Sequence, residues 1–186
     1  MLSINSCRKT NGFTLIELLV VIVILSLFTS SVFFSINSNP DKEVKSEFNR
    51  LAQIIKLAQD EAMLKGEMFG LHLYENGYFF SRYHEEQWQI IRDDKLLNPY
   101  SLPEGLILAL EIEDEFVALK FHDKNIAIEL KENEQPPIYF LSSGEMSAFK
   151  IMIKNKHTEI NDQIKAEIKG YETGQLNINY FQAEQQ

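Results

Sequence analysis

The sequence predicts an α+β protein in which an N-terminal membrane helix continues into an amphipathic helix packed on an antiparallel β-sandwich domain. Three observations support this prediction. Residues 13–36 form a long apolar run, and residues 37–65 carry apolar side chains at a helical period. Residues 66–186 alternate apolar and polar side chains between frequent turn signals. The period changes from near 3.6 to 2 at Gly66, which therefore marks the boundary between helix and sheet.

Residues 1–12 form a short polar segment that contains Arg8 and Lys9. Basic residues just before an apolar run favour keeping the N-terminus in the cytoplasm. We therefore expect everything after residue 36 to lie across the membrane. Cys7 is the only cysteine and falls in this N-terminal segment, so the exported part has no disulfide to stabilise it. Its stability must come from its hydrophobic core.

The apolar run contains a single charged residue, Glu17. As a helix, residues 13–36 span about 36 Å, which exceeds a hydrocarbon core of about 30 Å. A carboxylate near the head of a membrane helix costs a few kcal/mol unless it finds a partner. Glu17 lies only about 6 Å along the axis from Phe13. It either stays hydrated among the lipid headgroups or pairs with another group in an assembly.

The charge balance argues against nucleic-acid binding. The chain has 18 basic and 27 acidic residues, a net charge of −9. Without residues 1–12 it loses Arg8 and Lys9 and no acid, which leaves 16 basic and 27 acidic residues and a net charge of −11. Such a surface repels phosphate backbones. We therefore expect no nucleic-acid partner.

The second helix is predicted from about residue 40 to residue 65. Asn39-Pro40 interrupts the pattern, because proline inside a helix breaks a hydrogen bond but is tolerated at a first helical position. The helix either kinks here or stops and restarts. Its apolar residues form one stripe, which we expect to pack on the sheet of the domain. The stripe consists of Val44, Phe48, Leu51, Ile55, Ala58 and Ala62, with Ile54 at one edge. Gly66 is predicted to be the C-cap residue.

The remaining chain reads as short strands separated by turns. Asn76-Gly77 predicts a hairpin turn, and Ser142-Ser143-Gly144-Glu145 predicts another turn between two paired strands. The predicted strands are 68–74, 78–83, 87–92, 106–112, 116–121, 126–130, 138–141, 148–153, 164–168 and 176–180. Many short strands with regular turn signals indicate an all-β domain, most simply a sandwich.

No arrangement of residues in the sequence has catalytic or metal-binding spacing. The four histidines, His72, His84, His122 and His157, are too widely separated for a zinc motif. His72 alternates with two leucines on a predicted strand, so we expect it to be exposed. The acidic residues at 111–115 lack the spacing of a calcium loop and predict a solvated turn. We expect no cofactor, no metal and no enzyme activity.

The first residues of the apolar run carry a recognisable motif, Gly12-Phe13-Thr14-Leu15-Ile16-Glu17. It resembles the processing motif of type IV pilins and of type II secretion pseudopilins. The resemblance implies that a prepilin peptidase cuts after Gly12 and methylates the new N-terminal Phe13. It also implies that Glu17 neutralises the amino terminus of a neighbouring subunit during assembly.

The order of later features is similar to that of the GspH/FimT group of minor pseudopilins and minor pilins. These features are Trp88, the Leu102-Pro103-Glu104-Gly105-Leu106 turn and the Phe140-Leu141-Ser142-Ser143-Gly144-Glu145 segment. The chain lacks the C-terminal cysteine pair of many pilins, which favours a pseudopilin. Asn39-Pro40 departs from the uninterrupted helix of a pilin.

The resemblance implies a type IV pilin-like fold and four segments. Residues 1–12 would be a cleaved cytoplasmic leader and residues 13–36 a single inner-membrane span. Residues 37–65 would be a periplasmic helix and residues 66–186 a periplasmic β domain.

The implied function is that of a structural minor pseudopilin supporting export of folded proteins across the outer membrane. Its implied partners are the major and minor pseudopilins, prepilin peptidase, inner-membrane lipid and the inner-membrane assembly platform. A minor pilin acting in pilus priming, adhesion or DNA uptake is the alternative, and an enzyme on a membrane anchor is the third possibility.

Overall fold

The structure, a computed structural model, describes residues 14–24, 40–123, 125–131, 134–156 and 166–181. It divides into two compact units, Met1–Asn39 and Pro40–Gln186. In the first unit the described segment is helical over residues 15–24, which we call α1. The predicted continuation from the membrane helix into the amphipathic helix falls on residues 25–39, which lie outside the described residues.

The second unit begins with helix α2, Pro40–Lys65. Proline suits a first helical position, because its missing N–H has no intrahelical partner there. All seven residues of the predicted apolar stripe are buried, and Phe48, Ile55, Ala58 and Ala62 are fully inaccessible. Gly66 follows at φ +67°, the left-handed conformation that ends many helices. The stripe and the C-cap predicted from the sequence are therefore confirmed.

Among the described residues, ten strands form two antiparallel sheets. Sheet A contains β1 (Met68–Tyr74), β2 (Gly77–His84), β3 (Gln87–Ile90), β4 (Tyr100–Ser101) and β7 (Ile138–Phe140). Sheet B contains β5 (Leu106–Ile112), β6 (Glu115–Val117), β8 (Phe149–Asn155), β9 (Ala166–Gly170) and β10 (Leu176–Tyr180). The order is β3-β2-β1-β7 in sheet A, with β4 also on β2, and β10-β9-β8-β5-β6 in sheet B. The predicted α+β class is confirmed.

One hydrophobic core joins α2 to both sheets. The helix contacts β1 and β7 of sheet A and β9 and β10 of sheet B. The largest fully buried side chains come from all three layers and are Tyr78, Phe48, Phe69, Phe79, Phe80, Phe140, Leu51, Ile55, Leu71, Leu97, Leu110 and Ile138. Each fully buried large apolar side chain stabilises the fold by about 1.5–3 kcal/mol relative to an exposed one.

Some predicted elements were wrong because a strand pattern does not specify a partner. The predicted turn at 142–145 forms, with an antiparallel bridge between Phe140 and Met146. The predicted pairing does not extend into β8, since β7 pairs with β1 and β8 pairs with β5 and β9. The predicted strand at 126–130 has no ladder, and its Ile128 carbonyl instead accepts a hydrogen bond from the Arg92 side chain. The strand predicted over 116–121 ends at Val117. Residues 118–137, the β6–β7 connection, are therefore largely irregular where described.

The first hairpin turn lies one residue earlier than predicted. Tyr74 pairs with Gly77, so the turn residues are Glu75 and Asn76. Asn76 is buried, and its side chain accepts from the His122 N–H at 2.9 Å and donates to the His122 carbonyl at 2.8 Å. Gly77 is needed for space, since a β carbon there would overlap the Tyr100 carbonyl oxygen. The asparagine therefore holds the β6–β7 connection.

Two other hairpin turns are strained. Glu85 and Glu86 join β2 to β3 with φ values of 50° and 63°, and Glu113 and Asp114 join β5 to β6 with φ values of 53° and 64°. Both central residues of a type I′ turn need positive φ, for which Asn-Gly is the favoured pair. A side chain in this region costs about 1–2 kcal/mol per residue. These acidic turns therefore store backbone strain.

Replacing Glu85 by Asn and Glu86 by Gly should raise the free energy of unfolding by about 1–2 kcal/mol, because the strain is relieved. Thermal unfolding of the whole chain in detergent, followed by circular dichroism, measures this. Placing the same Asn-Gly pair at positions 75 and 76 is the matched control. It should destabilise the fold, since neither residue has positive φ there and the Asn76 bonds are lost. Equal effects at both turns would contradict the prediction.

Candidate functional site

The first described turn of α1 carries the predicted assembly carboxylate. Thr14 precedes the helix, and its carbonyl accepts from the N–H groups of Glu17 at 3.1 Å and Leu18 at 3.2 Å. The Thr14 hydroxyl oxygen lies 3.4 Å from the Glu17 N–H, the position of an N-cap contact. Thr-x-x-Glu is the spacing of a capping box. That spacing is a sequence signal for the helix start that the sequence analysis did not use.

This geometry places the Glu17 carboxylate at the positive end of the helix dipole. An anion in the first turn of a helix is stabilised by the unpaired N–H groups there. Glu17 is exposed in this chain, so its carboxylate is available to a group from outside. The other two predicted motif residues, Gly12 and Phe13, lie outside the described residues.

The rest of α1 is apolar on every side. Nine of its large apolar side chains are 45–85% exposed: Leu15, Ile16, Leu18, Leu19, Val20, Val21, Ile22, Val23 and Ile24. A helix that is hydrophobic all round requires lipid or other protein around it. The apolar side chains of α1 would therefore be exposed to water unless lipid or protein covers them.

Within the part of the chain that the structure describes, no helix is both long enough and apolar enough to cross a membrane.

The β domain contains a surface cleft of about 230 Å³ between the first hairpin, β4 and the β6–β7 connection. Its polar groups already have structural partners: Arg92 donates to Ile128, Asn76 bonds His122, and the His122 ring stacks on Tyr74 at 4.8 Å. Ser101 also lines the cleft. Its hydroxyl has no hydrogen bond to a histidine or carboxylate among the described contacts, so the cleft shows no activated nucleophile.

The prediction that His72 is exposed was wrong. His72 is 5% exposed, its Nε2 lies 3.0 Å from the Ser81 hydroxyl, and its ring stacks on Phe79 at 4.4 Å. Pro136 lies so close over neighbouring Gly70 that a β carbon there would come within 2.5 Å of it. Burial lowers the pKa of His72 to about 4, opposed by the charge of Glu134. The histidine is a neutral packing residue at neutral pH.

The acidic residues predicted to form a solvated turn separate into two environments. Glu113, Asp114 and Glu115 are exposed, as predicted, but Glu111 is buried and forms an ion pair with Lys150. The hydrogen bond to Glu111 raises the pKa of Lys150. Among the described residues no three His, Cys, Asp or Glu side chains are grouped to hold a metal ion.

Comparison with known proteins identifies relatives that span most of the chain. The family model described as "Prokaryotic N-terminal methylation motif" matches residues 7–33. Type II secretion system protein H of Pseudomonas aeruginosa is 34% identical over 155 residues, covering 82% of this chain and 87% of that protein. The Vibrio cholerae protein of the same name is 29% identical over 184 residues, covering 91% of this chain and 94% of that protein.

Solved structures resemble the fold over most of the chain. The crystal structure of the minor pseudopilin EpsH from the type II secretion system of Vibrio cholerae aligns with a TM-score of 0.60 at 25% identity. That match covers 75% of this chain and 95% of EpsH. The solution structure of E. coli GspH aligns with a TM-score of 0.56 at 16% identity, covering 78% and 93%, and supports the fold alone.

The buried His72 makes stability depend on pH. Because its pKa is about 4 when folded and 6.5 otherwise, the unfolded chain binds the proton more tightly between these values. The contribution of neutral His72 to the free energy of unfolding is therefore fully present above pH 6.5. It decreases by about 3 kcal/mol as the pH falls toward 4. Urea unfolding of the His72→Asn variant between about pH 7 and 4.5 should show a shallower decline than wild type.

His84→Asn is the matched control, since His84 also lies on sheet A but is exposed. It should retain the wild-type dependence on pH. A wild-type slope in the His72→Asn variant would show that the decline comes from other groups.

Proposed function

The chain belongs to the family of type II secretion system protein H, and on that premise we propose how it acts as a structural subunit of the pseudopilus. The one observation that carries the mechanism is α1, an exposed apolar helix with a single carboxylate in its first turn. Such a helix is stable when lipid or a bundle of similar helices surrounds it. It is not stable when water surrounds it.

We propose that residues 13–36 anchor the subunit in the inner membrane and that the domain from residue 40 lies in the periplasm. The basic residues Arg8 and Lys9 favour this orientation. Residues 1–12 act as a cytoplasmic leader, which prepilin peptidase removes after Gly12 before methylating Phe13. The match to the N-terminal methylation motif over residues 7–33 supports this processing.

Glu17 acts in assembly in this proposal. In a lone subunit the carboxylate lies close to the hydrated headgroups, where its charge costs little. In a bundle of helices an unpaired charge costs several kcal/mol. The positive amine of Phe13 on the adjacent subunit removes that cost. Since a helix shifted along the bundle leaves both charges unpaired, the pair also fixes the axial register.

The domain acts by binding other subunits and catalyses no reaction. Its cleft has polar groups that serve the fold, and His72 is locked between Ser81 and Phe79. The names of the relatives favour secretion over the alternative of a type IV pilus. Other pseudopilins and the inner-membrane assembly platform are the partners that this role requires.

Gly12→Val should prevent processing, because a branched side chain obstructs the close backbone approach that the peptidase needs. The chain should remain in the membrane with its leader attached. Mass spectrometry of the N-terminal peptide measures this directly: wild type should begin at N-methylated Phe13. Asn11→Val, one residue earlier, is the control and should be processed normally. A mature wild-type chain that begins elsewhere would refute the cleavage site.

Glu17→Val should insert, be processed and fold normally, yet enter the pseudopilus at least about tenfold less efficiently than wild type, because the charge pair is lost. Co-purification with the other pseudopilins and a secretion assay for exported enzymes measure this. Glu17→Gln should fail similarly, because it keeps the shape but not the charge. Thr14→Val is the control: it removes the N-cap hydroxyl one turn away but leaves the carboxylate, and should assemble. If the Glu17→Val variant assembles and supports secretion like wild type, Glu17 is only a headgroup-level carboxylate.

A further inference from the structure

Two phenylalanines lie exposed on the β domain beside two lysines. Phe116 on β6 is 66% exposed, and Phe121 on the β6–β7 connection is 60% exposed. The Lys154 ammonium lies 5.6 Å from the centre of the Phe116 ring, and the Lys156 ammonium lies 5.5 Å from the centre of the Phe121 ring. We call these four residues the Phe/Lys patch.

The two rings are among the most exposed large apolar side chains of the β domain. Among the described residues of the second unit, only Leu64 and Ile126 join the two phenylalanines at an exposure of 60% or more. Aromatic side chains are enriched in protein–protein interfaces. A cation–π contact at an exposed site is worth only about 0.5–1 kcal/mol. It orients each lysine over its ring but leaves the outer surface of both groups free for a partner.

The two lysines of the patch differ from Lys150 of β8, which forms an ion pair with Glu111. Within the described part of the chain, neither Lys154 nor Lys156 forms an ion pair. The chain as a whole carries a net charge of −9. Exposed acids, Glu113, Asp114 and Glu115, precede Phe116 in the chain, but the two lysines are not in ion pairs with them. Charge complementarity at the lysines selects carboxylates on a partner surface.

We propose that the Phe/Lys patch binds an acidic surface on the globular domain of another pseudopilus subunit, with carboxylates on the lysines and an apolar side chain against the rings. This inference rests on the proposed function. An anionic lipid surface is the less favoured occupant, since lipid recognition uses clusters of about four to eight basic residues and the overall negative charge opposes it.

The first experiment places a photocrosslinking amino acid at position 121 of the full chain in cells that carry the secretion system. It should yield a crosslink to another pseudopilus subunit, and mass spectrometry should place the crosslinked peptide in a segment rich in Asp and Glu. Position 64 is the control, because Leu64 is 82% exposed on α2 but has no lysine over it among the described contacts. A crosslink to lipid, to a basic segment, or equally from both positions would overturn the proposal.

The second experiment reverses the charge with Lys154→Glu and Lys156→Glu together. Co-purification of other pseudopilins should fall at least about tenfold, with the membrane level of the variant and its thermal transition unchanged. Lys169→Glu is the matched control: its ammonium lies 5.5 Å from the Tyr171 ring on the same sheet, but away from the exposed phenylalanines. It should stay within about twofold of wild type, and Phe121→Ser should behave like the double variant.

The outcomes separate the two proposals. If wild type co-purifies with pseudopilins and the double charge reversal does so equally well, the patch is not the binding surface although the proposed function stands. If wild type itself captures no pseudopilin, the proposed function fails and this inference fails with it.

Discussion

Burial of one stripe of α2 is the constraint on which the β domain depends. The helix supplies apolar side chains to a core that both sheets share, so neither sheet has a complete inner face without it. Gln59 is the buried polar residue of this helix, and its side-chain amide donates to the carbonyls of Gly144 at 2.7 Å and Gly174 at 3.0 Å. These glycines lie in the β7–β8 connection and the β9–β10 turn. One side chain therefore fixes both loops against the helix, and the donors of its buried amide are paired.

A second set of contacts joins the two sheets at the turn between β1 and β2. Glu75 donates its N–H to Lys120 at 3.0 Å and accepts from Leu108 of β5 at 2.7 Å, while the Asn76 carbonyl accepts from Leu102 at 2.9 Å. The tip of a sheet A hairpin thus bonds to sheet B and to the β6–β7 connection. This connection is held by a few side-chain and turn contacts instead of a ladder. Phe121 lies on this connection and is exposed, whereas Leu119 packs against the core.

The two units divide the work of an assembling subunit between them. In the proposed mechanism the first turn of α1 sets axial register through one charge pair, because any shift leaves charges unpaired in an apolar bundle. That interaction is the same for every subunit with the same motif and so distinguishes none of them. In the proposed assembly, selection of the neighbour comes from the domain, where the proposed Phe/Lys patch combines exposed rings with two lysines. Register and specificity are then separate physical tasks.

The features that the sequence by itself determined are those that depend on local periodicity and on short motifs. The buried stripe of α2, the left-handed Gly66, the first strands and the acidic, cysteine-free character of the chain after residue 12 follow from spacing and composition. The Gly12–Glu17 motif indicated a type IV pilin or pseudopilin, and the order of the later features narrowed this to the GspH/FimT group.

Only the tertiary structure decided which strands pair and which faces are covered. β7 and β8 are adjacent in sequence but belong to different sheets: β7 pairs with β1, and only Met146, before β8 begins, bridges back to Phe140. His72 lies on the outer face of sheet A, as its alternation with Leu71 and Leu73 predicts. It is nevertheless buried, because a segment distant in sequence, which contains Pro136, lies over that face. The Phe/Lys patch likewise brings together residues that are far apart in the sequence. Local patterns report the side of a strand on which a residue lies, whereas long-range packing decides what lies against it.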